Sequence, residues 1–248
     1  MSQNGKSQPH ERQTAPVIQV NNLTRTYQLA GEDVHALTNI SLNIFPHQMT
    51  AIVGRSGSGK TTLLNLLAGL DDPTSGDVHM LGDNLKALDE SARLALRRDK
   101  LGFVFQSFGL LPLLTAAENV GVPLRMRNLS RKERDDRVRE SLEWVGLTRR
   151  ANHRPYELSG GEQQRVAVAR ALAAHPEIIL ADEPTGQLDS QTGRKLLDLM
   201  RRLVEERGIT IIIVSHDPQV MTEADVVHEL RDGRLLETRI KNQTVAAH

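Results

Sequence analysis

Apolar residues recur along the chain at two spacings, and the switching between them is the first structural signal. Between Val17 and Leu81 four short runs are rich in β-branched and aliphatic residues: "VIQVNNL", "VHALTNISLNI", "MTAIVG" and "DVHML". Turn clusters such as "FPHQ" and "DDPTSG" separate runs of this kind, which predicts strands with tight connections. The third run ends in a glycine-rich loop, after which "KTTLLNLLAGL" takes up helical periodicity. From Thr115 to Arg150 the character is helical. In "SRKERDDRVRESLEWVGL", Val138, Leu142 and Val145 fall at helical spacing with charges on the other face. Two strongly apolar runs, "EIILAD" and "ITIIIV", bracket the helical stretch "SQTGRKLLDLMRRLVEERG". Strands buried on both faces read as continuous apolar stretches, so this alternation predicts a parallel sheet with crossover helices. The expected architecture is an α/β core interrupted by a helical insert between about Ser107 and Arg170.

Composition narrows the function classes. At 248 residues the chain can bury a substantial core. Its 31 basic residues match its 31 acidic ones, so it lacks the cationic excess of a nucleic-acid binder. Cysteine is absent, which excludes disulfides, thiolate metal sites and cysteine nucleophiles, and fits a reducing compartment. No segment approaches the ~18 consecutive apolar residues of a membrane span. The opening "MSQNGKSQPHERQTAP" has no apolar signal-peptide core, and its polarity predicts a disordered tail over residues 1–16. These features lead to the expectation of a soluble, cytoplasmic protein.

The chemistry concentrates at the ends of the apolar strands. "GRSGSGKT" fits the pattern G-x-x-x-x-G-K-[ST] in the required setting, between a strand and a helix. Gly54, Gly57 and Gly59, with Arg55, Ser56, Ser58 and Thr62 of the same stretch, let backbone amides close around phosphate groups, and the helix N-terminus adds positive potential. Lys60 would reach the terminal phosphates of ATP, and the Thr61 hydroxyl would bind Mg²⁺. "IILADEP" ends a second strand in two carboxylates. Asp182 suits a magnesium role, and Glu183 can polarise an attacking water as general base. His216 in "IVSHD" and Gln106 in "GFVFQS" also end apolar strands, where ligands of parallel sheets bind. From those positions each can contact the γ-phosphate, and the Gln106 amide can also sense Mg²⁺.

A second glycine pair lies far downstream in "LSGGEQQR". Ser159, Gly160 and Gly161 open another helix N-terminus with a hydroxyl beside it. One triphosphate is already wrapped by residues 54–62. The simplest use for a second clamp is across a two-fold dimer interface, each copy closing the other's site; the plainer reading is a capped helix.

Taken together these motifs resemble those of the ATP-binding-cassette (ABC) ATPase subunits, over roughly Val17 to Arg239. The resemblance implies a P-loop NTPase (RecA-like) core with an N-terminal antiparallel β-subdomain and an inserted α-helical signature subdomain. Residues 17–240 would then be a single domain followed by a C-terminal tail over 241–248. It also implies that Tyr27 stacks on adenine (otherwise a packed strand tyrosine) and that Gln106 forms the Q-loop. "LSGGEQQR" becomes the signature that contacts ATP in trans, with Ser159, Gly160, Gly161 and Gln163. Glu183 becomes the catalytic base, His216 the switch histidine and Asp189 of "GQLDS" the D-loop residue at the dimer interface. Gln187 stands where related subunits often carry asparagine.

Finer features, "RTYQLAGEDVHALTNISL", "GLDDPTSG", "FQSFGLLPLLTAAENV" and "ADEPTGQLDS", are similar to the subgroup of lipoprotein-releasing and macrolide-export ATPases and the cell-division cassette. That resemblance implies a homodimer on the cytoplasmic face of the membrane. It would serve a separate permease with few transmembrane helices, in a mechanotransmission mode. An importer subunit is the alternative within the transporter class; a soluble cassette ATPase acting on DNA or ribosomes, or a non-hydrolysing ATP-binding scaffold, lies outside that class. The run after Gln106 is either an internally packed loop or a surface for a permease helix through Phe108, Leu110, Leu111 and Leu114.

Overall fold

The computed structural model describes residues 15–29 and 31–241. The expected N-terminal tail lies outside these residues except for its last two positions, and the expected C-terminal tail except for Lys241. Two sheets share the chain. Strands β1 (Ile18–Leu29) and β2 (Glu32–Ile44) form a long antiparallel hairpin. Strand β3 (Met49–Val53) then leaves this layer and runs through the phosphate-loop stretch into helix α1 (Lys60–Leu67). The chain returns to the first layer as β4 (Ser75–Met80) and β5 (Asp83–Asn84), completing a four-stranded sheet in the order β2-β1-β4-β5.

Helix α2 (Glu90–Lys100) leads into β6 (Leu101–Val104), followed by α3 (Ala116–Gly121), α4 (Arg131–Trp144) and α5 (Gly160–Ala173). The core then alternates β7 (Ile178–Asp182), α6 (Ser190–Arg207), β8 (Thr210–Ser215), α7 (Pro218–Glu223), β9 (Val226–Arg231) and β10 (Arg234–Ile240). The second sheet has the order β10-β9-β3-β8-β7-β6 and is parallel except for β10.

Period-two alternation in the parallel strands builds two cores, one on each face. Ile211 and Ile213 pack with α5 and α6, whereas Ile212 and Val214 pack with α1 and the antiparallel layer. The register also levels the strand ends that carry the candidate chemistry. Val53 pairs with Ser215, and Val214 pairs with Asp182. The residues that follow these strands, Gly54, Glu183 and His216, therefore emerge side by side.

The sequence pattern does not predict helix α2; none of its residues is fully buried, and Leu96 packs partly against the core. Polar contacts hold it as well. Asp89 caps it by accepting from Ala92 N at 2.7 Å, Arg93 pairs with Asp72 at 2.7 Å, and Arg97 donates to Gly69 O at 2.7 Å. Helix α4 covers the residues expected to be helical, with Leu142 buried and Val145 capping its end.

Candidate functional site

The loop after β3 folds back on itself before α1, and its glycines allow this. A Cβ on Gly54 would stand 2.2 Å from Leu230 O. Gly59, the residue preceding α1, has φ +96°, and a Cβ there would stand 2.4 Å from Ala36 O. Gly57, also at positive φ, has no atom within 4 Å of its would-be Cβ and borders open space. Lys60 is buried, and its Nζ donates to Gly54 O and Arg55 O, both at 2.9 Å. Ser58 is buried with its Oγ unpaired.

A cavity of about 750 Å³ opens on this loop. Arg55, Ser56, Gly57, Gly59, Lys60, Thr61 and Thr62 form one wall; Gln106, Asp182, Glu183 and His216 form another. Thr61 Oγ1 lies 3.4 Å from Asp182 Oδ2. Burial, and secondarily the neighbouring Glu183, push the Asp182 carboxyl above its ordinary range. Glu183 is held tightly: Ser215 Oγ donates to its Oε2 at 3.0 Å, and His216 Nδ1 lies 2.8 Å from its Oε1. The Glu183 side chain is only 15 % exposed against 69 % for His216, so the pair runs from the protein wall to the cavity mouth. Glu183 has φ +45°, unusual for a residue with a side chain. The structure thus gathers the loop, both carboxylates, Gln106 and His216 into one cavity.

Gly54 and Ser58 of the loop do not line this cavity, and the other expected residues, Tyr27, Ser159, Gly160, Gly161, Gln163 and Asp189, sit elsewhere. Tyr27 is absent from the cavity lining. Its hydroxyl donates to Asp71 at 2.8 Å, and the Arg25 guanidinium covers its ring at 4.4 Å. Its hairpin partner Val34 lines the cavity together with His35 and Ala36. The Ser159–Gln163 stretch is also outside this cavity. Ser159 caps α5: its Oγ accepts from Glu162 N at 3.3 Å and donates to Glu162 Oε2 at 3.0 Å. Gln163 Nε2 donates to Leu158 O at 3.1 Å. A Cβ on Gly161 would stand 2.4 Å from Thr192 Cγ2, so the start of α5 lies against the start of α6. Asp189 caps α6 by accepting from the Thr192 and Gln191 amides, and the Thr192 side chain first, then these amides, lower its pKa.

Val34, His35 and Ser215 carry no local signal of a place at this site. A hairpin register would have found the first two, and strand pairing the third.

The donor set suits an anionic polyphosphate: the positive-φ glycines Gly57 and Gly59, the buried Lys60, Thr61, Thr62 and the start of α1 border one cavity. Among the described residues there is no cluster of three or more His, Cys, Asp or Glu placed to hold a metal. A divalent ion here would rest on Thr61, Asp182 and ligand oxygens, the usual magnesium arrangement.

The run after Gln106 is divided. Leu110 packs on the core, while Leu111 is 48 % and Leu113 81 % exposed. Buried Asn119 staples the loop, with Nδ2 donating to the carbonyls of Leu111, Leu114 and Thr115. Beside it an apolar groove of about 400 Å³ runs past Leu94, Phe103, Phe105, Val122 and Met126. No described helix is long and apolar enough to cross a membrane.

Comparison with known proteins gives consistent findings. The family model described as "ABC transporter" matches residues 37–186. The uncharacterized ABC transporter ATP-binding protein MJ0796 of Methanocaldococcus jannaschii is 48 % identical over 225 residues, covering 88 % of this chain and 95 % of that protein. The macrolide export ATP-binding/permease protein MacB of Shigella flexneri is 47 % identical over 221 residues, covering 89 % of this chain. The match spans only 34 % of that MacB. A solved dimer of MJ0796 superimposes with a TM-score of 0.83 at 46 % identity, over 90 % of this chain and 98 % of that one. A post-hydrolysis MJ0796 dimer bound to ADP and Pi gives 0.82 at 45 % identity, with the same coverage.

Proposed function

The chain belongs to the ABC transporter family, and on that premise we propose that it is the ATP-hydrolysing subunit of a transporter, working as a homodimer that drives a membrane permease. The observation that carries the reading is the Glu183–His216 pair, 2.8 Å apart, in the same cavity as Lys60 and the Thr61–Asp182 pair.

The glycine-loop amides and Lys60 bind and orient the triphosphate, and Tyr27 or its hairpin neighbours bear the adenine. Mg²⁺, held by Thr61 and Asp182 with Gln106 nearby, would supply charge neutralisation at the phosphates. Glu183 accepts the proton of the attacking water, a role supported by its fixation through Ser215 and His216. His216, exposed at the mouth, is the group placed to meet the γ-phosphate.

The Ser159–Gly161 cap lies outside its own chain's cavity, which favours its use on a second copy. Ser159 Oγ would then exchange its bond to Glu162 for one to phosphate, with Gln163 beside it. Asp189, at the start of α6 next to this cap, is the residue placed to link the two sites. The apolar groove beside Gln106 would receive a permease helix, tying γ-phosphate sensing to mechanical work. That assigns the protein to the cytoplasmic face of a membrane as a peripheral subunit. Residues 17–240 would act as one domain with the helical signature part at about 107–170. The likeness to MacB favours a mechanotransmission permease over a conventional importer.

The direct test measures Mg-ATP hydrolysis and ATP-dependent dimerisation, then identifies membrane partners that co-purify with the ATP-bound chain. Hydrolysis, a dimer and a few-span permease are the expected results. A many-span permease moves the reading to an importer. Recovery of ribosomes or DNA, or absence of hydrolysis, overturns it.

A further inference from the structure

Gln164 is fully buried on α5, five residues after the helix cap, and does not line the phosphate cavity. Its Nε2 donates to Pro184 O at 2.8 Å and reaches Phe105 O at 3.3 Å. Pro184 directly follows Glu183, and Phe105 directly precedes Gln106. Both partners are carbonyls, so the amide orientation is fixed by chemistry: only the NH₂ group can face them. That orientation leaves Gln164 Oε1 buried with no donor. A buried unpaired acceptor is costly, and such a group in a native fold calls for a reason other than stability.

We infer that Gln164 is a positioning residue: from the signature helix, one amide sets the backbone on both sides of the reacting γ-phosphate. This deepens the ATPase reading and rests on it. Glu183 sits at φ +45°, a conformation that persists only if its surroundings impose it. Three bonds do so: Glu183 N to Val214 O at 2.8 Å, Gly186 N to Glu183 O at 3.0 Å, and Gln164 to Pro184 O. The same helix grips the Gln106 loop at a second point, where Arg170 Nη2 donates to Phe108 O at 2.9 Å and Nη1 to Gly109 O. Movement of α5 is therefore transmitted to the segments of Glu183 and Gln106 through these side chains, in addition to its packing on β6.

The variant Gln164→Met separates positioning from structural support. Methionine matches the length and bulk, deletes both donor bonds and also deletes the orphaned acceptor. The two stability effects oppose each other, so Tm should stay within about 4 °C of the wild type. Turnover should fall about tenfold or more, with KM for ATP within roughly threefold. The ATP-induced dimer of the Glu183→Gln protein should survive addition of Gln164→Met. A buried control on the same helix, Leu172→Ala, should lower Tm further yet reduce turnover less. Should Gln164→Met fail to fold, Gln164→Asn is one methylene too short to reach both carbonyls. It should give the same kcat loss at unchanged KM.

Turnover within about twofold of wild type overturns the inference. So does a loss no larger than that of Leu172→Ala, or loss of the dimer. Absence of hydrolysis by the wild-type chain would instead end the ATPase reading itself, which keeps the two failures distinct.

Discussion

Replacing Glu183 with glutamine tests the centre of the site with little change in shape. In the native protein the carboxylate accepts from Ser215 Oγ at 3.0 Å and His216 N at 3.4 Å, and meets His216 Nδ1 at 2.8 Å. The amide of Gln keeps one acceptor and turns the other into a donor, which an unprotonated Nδ1 can accept. Two good charge-assisted bonds become neutral ones, a loss of about 1 kcal/mol each. Against this, removing the charge relieves repulsion on Asp182, one of the causes of its raised pKa. The net cost is about 1 kcal/mol, a Tm decrease of about 2–4 °C for a chain of this length. A lost general base lowers turnover about 10²–10⁴-fold, or about 2.7–5.4 kcal/mol of barrier. The catalytic effect therefore exceeds the structural one several-fold.

The assay pairs phosphate-release kinetics with gel filtration in Mg-ATP and a thermal melt. Nucleotide affinity should be preserved, since Lys60 and the loop amides are untouched, and ATP should accumulate in a stable dimer. Residual turnover above about one-tenth of wild type refutes the assignment of Glu183 as base.

Further expectations follow from the same geometry. Gly59→Ala places a methyl 2.4 Å from Ala36 O at φ +96°, and should cost about 3 kcal/mol, read as a Tm fall of about 6–12 °C without nucleotide. Asp189→Asn should keep the α6 cap and its Tm, whereas Asp189→Ala should lower Tm by about 2–4 °C; turnover lost in both would separate an interface role from the cap. Asp99 is held down to about 2, first by its hydrogen bond from Arg98 and then by Arg127. A depressed carboxyl stabilises above its ordinary pKa and loses that contribution as the pH falls from about 4 to about 2. Its 36 % exposed side chain trims the full effect of about 2.4 kcal/mol to about 1 kcal/mol. Asp99→Asn should therefore flatten acid denaturation across that window, measured by circular dichroism.

Sequence pattern alone located the elements whose burial is periodic. The runs "EIILAD" and "ITIIIV" became β7 and β8 because residues buried on both faces must all be apolar. The glycine loop was legible because its shape depends on residue types at fixed spacing. Helix α2 was not legible, since ion pairs and a cap hold it and none of its residues is fully buried. The groove past Leu94, Phe105 and Met126 was not legible: none of Phe108, Leu110, Leu111 and Leu114 lines it, and its walls come from segments distant in the chain.

The residues proposed to hold phosphate and polarise water, and the cap of a second glycine helix, were thus written in the local sequence. The tertiary structure decided what they do to one another. Strand register brought Ser215 and His216 onto Glu183, and hairpin pairing put Val34 rather than Tyr27 on the cavity wall. Packing of α5 beneath the site let one buried amide reach both Pro184 and Phe105. Local chemistry depends on neighbours in sequence, so a motif records it. Hydrogen bonds across the fold depend on which strands pair and which helix covers them, and only the packed core specifies that.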